Sequence, residues 1–90
     1  MPEYLSQAKM LLDSLDIKAS EIDQAKEQLE NLTKTSAIMD LINDPKFQNV
    51  VNLLTPFVVN YKVNQVLKLL KELGKDSRII DPETGLRKYI

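Results

Sequence analysis

Apolar residues recur every three or four positions through most of this chain, the period of helices that each bury one face. Tyr4, Leu5, Ala8, Leu11, Leu12 and Leu15 fall on one side of a helix expected over residues 3–16, with Pro2 in its first turn, where a missing N–H costs nothing. Ser20 with Asp23 has the spacing of a short-armed capping box and predicts the start of a second helix. Ile22, Ala25, Leu29 and Leu32 then follow at heptad spacing, a narrow seam flanked by charge. Met39 keeps that register, but Thr33–Ser36 offers a break and a second cap. A third helix is therefore expected to carry Ala37, Ile38, Leu41 and Ile42.

Two prolines punctuate the next stretch. In Asn43-Asp44-Pro45 the aspartate is placed to cap a helix and the proline to occupy its first turn. Phe47, Val50, Val51 and Leu54 give that helix its buried side. A proline inside a helix costs about 3 kcal/mol, so Thr55-Pro56 predicts a turn and not one long kinked rod. The last helix is expected to begin between Phe57 and Asn60 and to end at Leu73. Val59, Val63, Val66, Leu70 and Leu73 form its inward stripe, and Gly74 closes it in a left-handed conformation. Beyond it, Arg78-Ile79-Ile80, the turn Asp81-Pro82-Glu83-Thr84-Gly85 and Leu86-Arg87-Lys88-Tyr89-Ile90 predict a basic β-hairpin.

Helix, short helix, turn, longer helix and hairpin over residues 37–90 resemble the winged helix-turn-helix domain of small transcriptional regulators of the MarR and PadR kind. The resemblance rests on Val63-Asn64-Gln65-Val66-Leu67-Lys68-Leu69-Leu70-Lys71-Glu72-Leu73-Gly74, similar to the family's recognition helix. It rests also on Arg78–Pro82 with Gly85–Tyr89, similar to its wing. The chain departs from the pattern in having Thr55-Pro56-Phe57-Val58, without glycine, at the turn between the two recognition elements. It also carries Asn60, Tyr61 and Asn64 where serine or threonine is common. The resemblance implies a mainly α fold with a C-terminal β-hairpin. In that fold a winged helix-turn-helix over 36–90 is preceded by an N-terminal helical pair over 1–35, all within one domain.

That fold would place the helix near 60–73 in a major groove of double-stranded DNA and the 78–90 wing on the backbone or in a minor groove. Asn64 and Gln65 can donate and accept toward base edges, and Asn60 and Tyr61 stand beside them as further expected DNA contacts. Lys46, Lys62 and Lys68 suit phosphates, which set register and affinity without reading sequence. Arg78, Arg87 and Lys88 lie on or beside the ribbon. Leu69 falls off the inward stripe, and either extends the core or touches a partner.

Charge sharpens this division. The chain of 90 residues has a net charge of −1, yet residues 1–45 hold nine acids against four lysines. Residues 46–90 hold eight basic residues against four acids, and no acid falls between Asp44 and Glu72. The acidic half is a poor match for a phosphate backbone and suits a protein contact, so a homodimer or partner interface is expected on residues 3–34, centred on Ile22, Ala25, Leu29 and Leu32. The competing reading is a helical interaction module without nucleic-acid binding, which would use that seam or the uncharged stretch Val50–Val59. Cysteine and histidine are absent and there are two glycines, so no thiolate or imidazole chemistry and no glycine-rich phosphate loop is available. Asp13 with Asp16 and Glu27 with Glu30 have the spacing of solvated surface charge. No enzyme activity, cofactor or metal site is expected. With 43% hydrophobic residues and no run of 18 apolar positions, the expectation is a cytoplasmic protein without a membrane segment.

Overall fold

The computed structural model describes residues 3–34 and 38–75, and all regular structure among them is helical. Helix α1 (Glu3–Asp13) buries Leu5, Ala8 and Leu12. It stops short of the expected residue 16 because the backbone tightens. The Ser14 hydroxyl donates to the Leu11 carbonyl at 2.7 Å, and the Leu15 N–H turns back to Leu12 at 3.0 Å. Leu15 nevertheless remains buried and joins the core.

Helix α2 (Ser20–Thr33) buries the whole heptad seam. Its cap lies one residue before the expected one: Ala19 is extended and its carbonyl accepts the Asp23 N–H at 3.0 Å. Ser20 sits inside the first turn, and its hydroxyl donates to the Glu21 carboxylate at 3.1 Å. At the other end the half-buried hydroxyl of Thr33 is satisfied by the Glu30 carbonyl at 2.6 Å. Part of the expected break at Thr33–Ser36, together with Ala37, lies outside the described residues, as does Pro2.

The short α3 (Ile38–Asn43) contributes Leu41 to the core. Helix α4 (Pro45–Leu54) starts as the sequence predicts, with the Asp44 carboxylate accepting the Lys46 N–H at 2.9 Å and Pro45 in the first turn. A 3₁₀ turn over Thr55–Phe57 holds Pro56, and α5 (Tyr61–Lys75) completes the described chain.

Two broad interfaces organise these helices, α1 against α5 and α2 against α4, and α1 also packs on α2. Lys62, at the start of α5, donates from Nζ to the carbonyl of Ser14, just past the end of α1, so the two helices run antiparallel. One buried cluster holds leucines from both halves of the sequence, including Leu5, Leu12, Leu29, Leu32, Leu54, Leu70 and Leu73. Residues 3–34 thus contribute half of the buried core.

This arrangement overturns the winged-helix expectation. The described residues contain helices and no strand, and the two helices expected to form the helix-turn-helix, α4 and α5, touch at few positions. Here α5 lies along α1 instead. The hairpin expected at 78–90 falls outside the described residues.

Two further expectations are corrected in α5. Val59 is 95% exposed, because the chain turns before the helix begins: the Asn60 N–H returns to the Phe57 carbonyl at 2.9 Å, and the helical phase starts after it. The core stripe is therefore Val63, Val66, Leu67, Leu70 and Leu73. Gly74 does not end the helix; α5 runs through it to Lys75, and a Cβ placed there would meet open space.

These placements predict contrasting stabilities. Leu70→Ala should cost about 2–5 kcal/mol in chemical denaturation, while Val59→Ala should stay within about 0.5 kcal/mol. Gly74→Ala should stabilise by about 0.5–1 kcal/mol, because a helical glycine gives up more backbone freedom on folding than alanine. A destabilising Gly74→Ala would mean that the helix stops before it.

Candidate functional site

Outside the core, α1 and α5 leave between them a groove of about 500 Å³ lined by Gln7, Met10, Leu11, Gln65, Lys68, Leu69 and Glu72. Its apolar part is Leu11 and Leu69, both half-buried against the core, with Met10 beside them at 71% exposure. Met10 is off the apolar face of its own helix, so no core position explains it. Leu69, the residue that left the inward stripe of α5, meets Leu11 from α1 at this site.

The polar rim is drawn away from the groove along each helix. Gln7 donates from Nε2 to the Glu3 carboxylate at 3.0 Å, and Gln65 donates from Nε2 to the Tyr61 hydroxyl at 2.9 Å. Tyr61 is 73% exposed and stands next to Val59 and Val58, two of the other exposed large apolar residues. The Gln65–Tyr61 bond therefore joins the groove to this apolar knuckle at the α5 start.

Lys68 and Glu72 face the groove four residues apart, yet they form no ion pair; among the described residues the ion pair is Lys9 with Asp13 at 3.5 Å.

The residues expected to contact DNA separate into three groups. Asn60 and Lys62 are engaged in holding the fold. The Asn60 side-chain carbonyl accepts the N–H groups of Lys62 at 2.9 Å and Val63 at 3.4 Å, capping α5, and the Lys62 ammonium closes the C-terminal end of α1 on Ser14. Tyr61, Asn64 and Lys68 stand exposed along α5, with the half-buried Gln65 beside them, and Lys46 is exposed in the first turn of α4 on a different helix. Arg78, Arg87 and Lys88 lie outside the described residues.

The expected partner seam is placed elsewhere too. Ile22, Ala25 and Leu29 have no exposed surface and Leu32 has 1%, within a single copy of the chain, so they form its interior. The groove residues were missed because none of Gln7, Met10 or Glu72 carries a pattern of its own. The one available signal was Leu69.

Charge is segregated between helices: Glu21, Asp23, Glu27 and Glu30 are exposed on α2, and Lys62, Lys68 and Lys71 on α5. Among the described residues no three carboxylates gather closely enough to hold a metal ion, and no helix is long and apolar enough to cross a membrane. Compared with known proteins, the chain matches no family model, no curated protein and no solved structure.

The cap assignment predicts that Asn60→Ala destabilises the fold by about 1 kcal/mol, whereas Asn64→Ala, exposed in the middle of the same helix, leaves stability within about 0.5 kcal/mol. Thermal unfolding of the two variants checks this. Equal effects would remove Asn60 from the cap.

Proposed function

We propose that this chain is a helical protein-interaction module whose contact surface is the α1–α5 groove and the knuckle beside it. The observation that carries the reading is Met10, exposed at 71% beside the half-buried Leu11 and Leu69. An apolar groove between antiparallel helices takes up another helix by the same packing that joins helices inside a bundle. The knuckle of Val58, Val59 and Tyr61 extends that surface past the start of α5.

One observation favours a second reading, DNA contact by α5: no acid lies between Asp44 and Glu72, and Asn64, Lys68 and Lys71 are exposed there. The interaction reading is the better supported. One of the expected DNA contacts, Asn60, is taken up in capping α5, and Lys68 is accompanied on its groove by Glu72.

A photo-crosslinking residue at Gln65, compared with one at the exposed Gln24 on α2, tests both readings in the source cells. Protein adducts are expected at 65 and not at 24. Equal labelling at the two positions, or none, would remove the groove as the contact surface. In parallel, fluorescence anisotropy on mixed-sequence duplex should give no binding with the steep salt dependence of phosphate contacts, where each contact contributes a slope of about −0.9. A slope of about −3 or steeper, lost on replacing Lys68 and Lys71 with alanine, would favour DNA instead.

A further inference from the structure

We infer that the occupant of the α1–α5 groove is a second copy of the same chain, held about a two-fold axis that crosses α5 close to Leu69. The inference rests on the interaction reading above and adds the identity of the partner.

The argument starts from Lys68 and Glu72. They lie on one groove-facing side of α5, four residues apart and not paired with each other. In a two-fold interface, residue i of one copy meets j of the other, and j meets i. Two α5 helices running antiparallel across an axis midway between these residues bring Lys68 against the second copy's Glu72, and Glu72 against its Lys68. A surface with one base and one acid satisfies itself in this way. A partner of a single charge sign would satisfy one of them and repel the other.

The apolar residues fit the same axis. Leu69 lies almost on it, so the leucines of the two copies meet at the centre, with Leu11 and Met10 beside them on α1. A charge pair flanking a small apolar centre is the usual anatomy of a protein contact. Overall charge adds no barrier, since the chain carries a net −1, and near-neutral chains associate readily.

The expected strength follows from size. Helices of 11 and 15 residues lying side by side present a face of roughly 400 Å². That is about half of what one partner contributes to a standard stable interface, so the dimer is weak and concentration-dependent.

Sedimentation of the purified full chain over a concentration series, from about 10 μM to 1 mM, tests this. The wild type should pass from monomer toward dimer. K68E and E72K, both on the exposed rim, should keep their helicity by circular dichroism, and each should weaken the dimer at least about tenfold, because each turns two attractive pairs repulsive. An equimolar mixture of K68E and E72K should restore association, since every facing pair is then opposite in sign. M10E should weaken the dimer without rescue by either charge variant.

A wild type that stays monomeric to 1 mM would overturn the inference. So would a dimer indifferent to the single reversals, or a mixture no better than its components. The failures are separable: a monomeric protein still crosslinked at Gln65 to a different protein would remove the second copy and leave the interaction surface. Absence of any adduct at Gln65 would remove the surface itself.

Discussion

The docking of α1 on α5 is the contact from which the rest of the arrangement follows. Helix α1 has 11 residues, below the length at which an isolated helix persists in water, so its own hydrogen bonds do not hold it. What holds it is burial of Leu5, Ala8 and Leu12 against the stripe of α5 that contains Val66, Leu70 and Leu73. With α1 fixed there, α2 packs on it, α4 packs on α2, and the bundle closes through the lesser contact between α4 and α5. The groove exists because two cylinders meet along a line: Leu5 and Leu12 fill the inside of that line, while Leu11 and Leu69 reach only partway into the outside.

Much of the secondary structure was legible in the residues. The stripes of α1, α2 and α5 have the helical period, and Asp44-Pro45 marks the start of α4 by chemistry that works on the local backbone alone. The errors lie where a local preference was free to be overruled. Gly74 tolerates a left-handed cap but does not require one, and α5 passes through it. Val59 continues the period of α5 on paper, but it lies in the turn that ends at Asn60, before the helix begins, and the valine is left in solvent. Helix pairing was not legible at all. The order of helix, turn and helix in α4 and α5 reads as a helix-turn-helix, yet nothing in either stripe says that α5 prefers α1, because apolar stripes of leucine and valine are interchangeable partners until their lengths and angles are fixed in three dimensions.

The site was harder to see for a related reason. Its floor joins residues from opposite ends of the chain, and no spacing along the sequence places Leu11 next to Leu69. The polar residues of α5 were legible as exposed but not as to their use. Asn60, expected among the DNA contacts, has equally the side chain of a helix cap, and its position directly before the first turn of α5 decides for the cap. Lys62 is on the polar flank, yet the carbonyl it finds belongs to α1. A buried heptad seam and an exposed one have the same sequence signature. The acids around Ile22–Leu32 suggested a surface, while the burial of all four residues follows from α4 packing over them.

The bond from Lys62 to Ser14 spans 48 residues and seals the junction of an early helix with a late one. During synthesis the chain emerges in order, at roughly 5–20 residues per second, so α1 leaves the ribosome several seconds before the stripe that covers it has been made. For that interval Leu5 and Leu12 have only α2 to shelter against, and α2 itself is waiting for α4. A protein assembled this way cannot lock α1 in place until α5 arrives. Nascent chains of this topology therefore expose leucine to whatever holdase stands at the tunnel exit, and the rate of translation through α4 and α5 sets how long that exposure lasts.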